Sequence, residues 1–307
     1  MSSELSFEGR VAVVTGAGGG LGREYALHLA ARGAQVVVND LGGSVGGDGA
    51  DSGPAVAVVR EITDAGGVAV ASLDSVSTPQ TAEQIIRTAV EAFGTVDILI
   101  NNAGILRDSS FHKMTPEQVD AVLDVHLRGS FFVTLQAWRV MREKAYGRII
   151  NTSSNSGLIG NFGQSNYGAA KLGVVGMTRV LAAEGQRYNI RVNAIAPAAL
   201  TRMTENVVEG DVARVLAPAF VAPAVAWLAH EDCETTGEII SAGGGRVARY
   251  FIGLTPGYFS KDLTPEDVRD HWDQVRDPVG YTIPVQPSEE LEQILSHWAS
   301  SDSTGIS

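Results

Sequence analysis

Between Asn151 and Lys171 the chain reads NTSSNSGLIGNFGQSNYGAAK, with Ser153, Ser154 and Ser156 upstream of Tyr167 and Lys171 four residues after it. Such a set can move a proton. A free phenol titrates near about 10, too high for a good base at neutral pH, but a cation close by favours the phenolate. Residues four apart share a helix face, so Lys171 can supply that charge to Tyr167. A serine hydroxyl could hold a substrate oxygen as it gains negative charge. The same residues also suit ordinary packing, since a tyrosine near the start of an Ala-rich helix is commonly half-buried. Taken alone, the segment leaves both readings open.

A second constellation lies at the other end of the chain. The stretch VAVVTGAGGGLGREYALHLAARGAQVVVND, Val11 to Asp40, is a strand, a glycine turn, a helix and a second strand ending on an acid. Gly16 permits the tight turn, Gly20 lets the backbone approach a pyrophosphate, and Gly22 brings the helix against the sheet. The helix N-terminus then faces the anion. Asp40, at the end of the next strand, can accept hydrogen bonds from ribose hydroxyls, and its charge repels a 2′-phosphate, so NAD is expected rather than NADP.

The elements that must position these residues are written in the same alternation. Seven β-branched runs, VAVVT, QVVVN, VAVAS, DILIN, GRIINTS, IRVNAI and EIIS, are separated by helical patterns. This predicts βαβ crossovers and a parallel sheet covered on both faces, an α/β doubly wound fold of Rossmann type. Thr115-Pro116-Glu117-Gln118 carries an N-cap, a first-turn proline and a capping-box glutamine, opening a helical region that runs towards Trp138. The Gly-rich Leu41–Pro54 is expected to be a mobile loop. Residues 1–245 are expected to form the nucleotide-binding catalytic domain, with 246–307 as a helical extension packed on it. The predicted helix from Tyr167 to Gln186 is apolar around most of its circumference, which one sheet face does not require; burial against a second subunit explains it.

Bulk properties narrow the partners. The chain has 307 residues, 44% of them hydrophobic, enough for one large core. With 23 basic and 35 acidic side chains the net charge is -12, which argues against nucleic acid and anionic membrane. No apolar run approaches membrane-spanning length, the N-terminus lacks a secretory pattern, and the C-terminal TGIS is not of the Ser-Lys-Leu type. One cysteine, Cys233, cannot form an internal disulfide, so a cytoplasmic location is expected. No metal site is expected.

The ordered series Thr15-Gly16-x-x-x-Gly20-x-Gly22, Asn101-Asn102-Ala103-Gly104 and Tyr167-x-x-x-Lys171 resembles the short-chain dehydrogenase/reductase family over residues 7–245. Longer phrases (VVVNDLGG, NNAGILRD, HLRGSF, GNFGQSNYGAAKLG, RMTENV, VAPAVAWLAHE) are similar to a branch of it, the (3R)-hydroxyacyl-CoA dehydrogenase units of peroxisomal multifunctional enzymes of type 2. LTPEDVRDHWDQVRD extends that similarity to residue 277, and the hydratase and sterol-carrier-like domains of such enzymes have no counterpart, so a stand-alone bacterial form is expected.

The resemblance implies roles residue by residue. Tyr167 becomes the general acid or base, Lys171 its cationic partner and a contact to the nicotinamide ribose. Ser154, thirteen residues before Tyr167, becomes the residue that holds the substrate oxygen. Gly16, Gly20, Leu21 and Gly22 would hold the pyrophosphate, and Asp40 the ribose. Asp74 and the Ser75 amide would meet the adenine, with Asn101, Ala103 and Gly104 lining the adenosine side. Pro197 and Thr201 would approach the nicotinamide, although Pro197-Ala198 stands where the family has Pro-Gly and Thr201 is offset by one residue. His126 stands where many members have Asn, whose main-chain carbonyl helps hold a water in a proton relay to the lysine; a backbone role can survive the change, so the resemblance makes His126 a candidate catalytic relay residue, with local packing or capping as the alternative. Members commonly form dimers or tetramers through the tyrosine helix, so a homodimer or homotetramer is expected.

The implied activity is NAD-dependent oxidation of a (3R)-3-hydroxyacyl-CoA to a 3-oxoacyl-CoA. The alternatives are a 17β-hydroxysteroid as substrate or a non-catalytic NAD-binding sensor or scaffold. A CoA ester would need local positive charge on so acidic a chain, and Arg107, Arg202, Arg246 and Arg249 are the candidates for a phosphate clamp.

Overall fold

The computed structural model describes residues 4–199 and 214–302. All seven β-branched runs form strands: β1 (Val11–Thr15), β2 (Gln35–Asn39), β3 (Val68–Ser72), β4 (Ile98–Asn101), β5 (Gly147–Thr152), β6 (Ile190–Pro197) and β7 (Ile239–Gly243). They pair in parallel in the order β3-β2-β1-β4-β5-β6-β7. An eighth strand, β8 (Arg246–Tyr250), extends the edge beyond the predicted set. Only Gly244 and Gly245 link it to β7, both with positive φ (57° and 79°). A two-residue connection of that kind makes a hairpin, because parallel pairing needs a long crossover.

Helices cover both faces. Alternate residues of each strand point to opposite sides, so Ala12, Val14, Val36 and Val38 join one buried cluster with Tyr25 and Leu29 of α1 (Gly20–Ala30). Val11, Val13 and Val37 join the other, with Ile85 of α3 (Pro79–Phe93) and Val133 and Met141 of α5 (Gly129–Glu143). The remaining elements that bear on the site are α2 (Gly53–Asp64), α4 (Pro116–Leu123), the single-turn α6 (Asn155–Leu158) and α7 (Ser165–Gly185).

The capping box is formed as the sequence predicts. Thr115 Oγ1 accepts from Gln118 N at 3.3 Å, and Gln118 Oε1 accepts from Thr115 N at 3.0 Å. Leu41–Pro54 carries hydrogen bonds of its own. It folds back on itself through Asp51 N to Leu41 O and Ser44 N to Asp48 O, at 3.0 and 2.9 Å. Arg107 fastens it further, donating to Gly46 O at 2.8 Å and Asp48 Oδ1 at 2.9 Å.

The chain divides into two compact units, Met1–Arg249 and Tyr250–Ser307. The second contains a helix, Pro265–Asp270, opened by a Thr264–Asp267 capping box, and a longer one at Pro287–Asp302.

Candidate active site

The sheet order reverses direction between β1 and β4, and the crevice at their carboxyl ends is where an open α/β sheet binds ligands. Thr15 organises it: its Oγ1 accepts from the Asn102 and Ala103 amides at 3.0 and 3.1 Å, joining the glycine turn to the segment after β4. Gly16 has φ +64°, and an added Cβ there would lie 2.7 Å from Ala103 Cα. A Cβ on Gly22 would run into the Gly16 carbonyl, so α1 packs against the turn only because residue 22 is glycine. Asp40 accepts from Gly18 N at 2.8 Å and Gly42 N at 2.7 Å, one bond to each carboxylate oxygen.

From this turn a cavity of about 760 Å³ extends past Gly20, Leu21, Asp40, Asp74 and Ser75 towards Ser154 and Tyr167. Close glycine packing, a helix N-terminus and a carboxylate at the second strand end form a cradle that fits a dinucleotide. Pro197, at the end of β6, lines the same cavity.

Ser154 lies two residues beyond the end of β5 and caps α6, its Oγ accepting from Ser156 N at 3.1 Å. Its hydroxyl also donates to Asn155 Oδ1 at 3.3 Å. Ser153 is buried and donates its hydroxyl to Lys171 O at 2.9 Å, tying β5 to α7. Burial pushes the Tyr167 phenol up, the Ser154 side chain opposes that rise, and the Asp108 charge adds to it. Lys171 is buried, its Nζ donates to Thr152 O at 2.6 Å, and burial lowers it from 10.5 to about 7. Its Nζ stands 5.6 Å from the centre of the Tyr167 ring. Burial thus displaces both groups towards their neutral forms, and it brings Lys171 alone close to neutral pH.

His126 lies in a π-turn, Asp124–Arg128, that interrupts the α4–α5 helical region; Gly129 N donates to Asp124 O across five residues. π-turns are rare and cluster at functional sites. The imidazole is buried, faces the Tyr167 ring edge-on at 5.0 Å and 86°, and meets the Ile105 backbone through Nε2. Burial, then the Lys171 charge, hold it well below the usual histidine range, with the Ile105 backbone opposing.

Asn101 is set apart from the other expected cofactor residues. Its amide donates to Thr134 Oγ1 and Asn151 Oδ1, both at 2.8 Å, behind the sheet end, and it does not line the cavity. Asn102 lines it instead, donating to Thr15 O and Gly16 O at 3.1 Å. Ala103 and Gly104 also line it. Thr201 and Arg202 lie outside the described residues.

The structure gives two of the candidate clamp arginines other partners: Arg107 is committed to Asp48 and Gly46, and Arg249 pairs with Glu238 at 3.4 Å. Asn166, which carries no motif in the sequence, donates to Arg107 O and Gln118 O at 3.0 and 3.1 Å and so fixes the start of α7 beside Tyr167. Among the described residues no group of three or more His, Cys, Asp or Glu side chains is placed to hold a metal ion.

A family profile described as short chain dehydrogenase matches residues 10–211. The chain is 48% identical over 311 residues to peroxisomal multifunctional enzyme type 2 of Mus musculus, covering 100% of this chain and 42% of that protein. It is 39% identical over 295 residues to hydroxyacyl-CoA dehydrogenase ChsB1 of Mycobacterium tuberculosis, covering 90% of each. The structure of full-length peroxisomal multifunctional enzyme type 2 from Drosophila melanogaster matches with a TM-score of 0.82 and 40% identity, over 96% of this chain and 50% of that one. The chain spans half or less of these two multifunctional enzymes.

Proposed function

Because the chain belongs to the short-chain dehydrogenase family, we propose that it is an NAD-dependent dehydrogenase oxidising a (3R)-3-hydroxyacyl-CoA to the 3-oxoacyl-CoA. The observation that carries this reading is one cavity with Asp40 and the glycine turn at one end and Ser154, Tyr167 and Lys171 at the other. The substrate class follows the name of the tuberculosis relative, similar over nine-tenths of its length.

NAD, held by the glycine turn, Asp40, Asn102 and Lys171, would supply the hydride acceptor. Tyr167 takes the proton of the substrate hydroxyl, and Ser154 donates to the same oxygen as it becomes alkoxide-like and then carbonyl. Burial opposes a phenolate at Tyr167, and a positive charge on Lys171 favours one. Oxidation therefore quickens as rising pH frees the phenol of its proton, while the protonated phenol serves the reverse reduction.

A homo-oligomer belongs to the same proposal. The outer face of α7 presents Ala169, Leu172, Gly176, Val180 and Ala183, with Leu172 and Val180 48% and 58% exposed. Phe131 and Leu135 of α5 are equally open, at 49% and 51%. Apolar stripes of this kind are ordinarily covered by a second subunit. A cytoplasmic location is supported by the lone buried Cys233 thiol; no helix of the described residues is long and apolar enough to cross a membrane.

The test is NADH formation with (3R)- and (3S)-3-hydroxyacyl-CoA and with a 17β-hydroxysteroid. Turnover of the (3R) thioester is expected. Preference for the steroid or the (3S) epimer would replace the substrate assignment, and NADH binding without turnover of any would favour a sensor.

A further inference from the structure

We propose that the side chain of His126 is a positioning residue, which braces the Tyr167 ring on one side and the Gly104–Ile105 backbone of the cofactor cavity on the other. The inference rests on the reading of Tyr167 as the proton-transfer group. It goes beyond the backbone role that the sequence suggests for this position.

Four observations carry it. The main-chain carbonyl of His126 already has a protein donor, Ser130 Oγ, at 2.6 Å. The ring Nε2 stands 3.0 Å from Ile105 N and 2.8 Å from Ile105 O. One neutral tautomer can accept from that N–H and the other can donate to that carbonyl, so the same peptide residue anchors the ring in either state. The ring also meets Tyr167 edge-on at 5.0 Å and 86°, a favoured arrangement for aromatic pairs. Finally, a Cβ on Gly104 would run into the imidazole Cε1, so the cavity-lining backbone lies directly against the ring.

His126 Nδ1 is buried without a hydrogen-bond partner. An unpaired buried nitrogen costs stability that an apolar ring of similar size would not. Packing alone would be better served by phenylalanine, which makes the polar contact to Ile105 the informative one. Burial and the neighbouring Lys171 keep the imidazole neutral, as both tautomers of the contact require. The π-turn is what delivers the ring to this position, since its extra residue rotates His126 relative to a regular helix.

Two substitutions separate the two contacts. His126→Phe keeps a ring edge for Tyr167 and loses the bond to Ile105. His126→Gln carries an amide that reaches about as far as the distal ring nitrogen and can serve either Ile105 group, but it lacks the ring. In the full chain, NADH affinity is read by fluorescence, and the Tyr167 ring by its carbon-13 resonance, assigned by its loss in Tyr167→Phe. Turnover of a 3-hydroxyacyl-CoA is a third readout.

His126→Phe is expected to weaken NADH about fivefold, the scale of one hydrogen bond. His126→Gln is expected to displace the Tyr167 resonance and to lose mainly in kcat, with a smaller loss in NADH affinity. Equal losses in both variants, or melting temperatures that fall while NADH affinity and the Tyr167 resonance stay put, would reduce His126 to packing and overturn the proposal. Failure of the wild type to oxidise any 3-hydroxyacyl-CoA would sink the substrate reading, while the two substrate-free measurements would still decide the role of His126.

Discussion

Replacing Asp40 by alanine should change which dinucleotide the protein prefers. The carboxylate accepts one amide on each oxygen, Gly18 at 2.8 Å and Gly42 at 2.7 Å, leaving lone pairs for the two ribose hydroxyls. Hydrogen bonds to a charged acceptor are worth about 1.5–3 kcal/mol, so losing one should weaken NADH roughly tenfold to a hundredfold. A phosphate about 4 Å from the carboxylate is repelled by about 4 kcal/mol per unit charge at an effective dielectric of about 20. Asp40 is only half-buried, and screening reduces that to about 1–2 kcal/mol, or about tenfold. The ratio of NADPH to NADH dissociation constants should therefore fall by about two orders of magnitude in Asp40→Ala. Fluorescence titration with both nucleotides measures it, with melting temperature followed in parallel because Gly18 and Gly42 lose their acceptor. Asp40→Asn, which keeps an acceptor oxygen, controls for that structural loss. A wild type that prefers NADPH, or folded variants with an unchanged ratio, would refute the reasoning.

Other substitutions test the remaining parts. Tyr167→Phe keeps the ring against His126 and should leave NADH affinity nearly intact while cutting turnover about a hundredfold or more, the usual loss for a positioned acid or base; near-normal turnover would remove the phenol from the mechanism. Lys171 has its pKa lowered from 10.5 to about 7 by burial, so between those values the unfolded chain binds more protons and wild-type stability should rise with pH, by at most about 1.4 kcal/mol per pH unit. Lys171→Met removes that slope, and its melting temperature should exceed that of the wild type most below about pH 7, the gap closing as pH rises; parallel melting curves would contradict it. Val180→Glu together with Leu135→Glu places charge on the exposed stripes of α7 and α5 and should yield a monomer by sedimentation; an unchanged mass would show that the subunits meet elsewhere.

How far the sequence reached depended on whether each signal was local. β1 through β7, the Thr115 capping box and the glycine turn each sit in a short window with its own physical signature, and all formed. The edge strand β8 had a local signal too, the Gly-Gly turn before Arg246, but its five residues carry little hydrophobic pattern. Side-chain direction at strand ends was harder. Successive residues point to opposite sides, so choosing between Asn101 and Asn102 required knowing where β4 stops alternating. The attachment of Leu41–Pro54 was invisible because its clasp, Arg107, lies about sixty residues away in sequence, and a Gly-rich composition reads as freedom whenever the partner is unseen. The π-turn left no trace either. Asp124–Arg128 has an ordinary helical composition, and the extra residue becomes apparent only when the Gly129 amide is found on the Asp124 carbonyl.

The most direct test of the central claim follows the hydrogen itself. A (3R)-3-hydroxyacyl-CoA carrying deuterium at C3 is incubated with NAD and the wild type, and the nucleotide and thioester products are weighed by mass spectrometry. If Tyr167 takes the hydroxyl proton while C3 gives up its hydride, the deuterium appears in the reduced nucleotide, with one equivalent of unlabelled 3-oxoacyl-CoA, and Tyr167→Phe forms both far more slowly. Deuterium retained in the thioester or released to water, or equal product formation by wild type and Tyr167→Phe, would contradict the account.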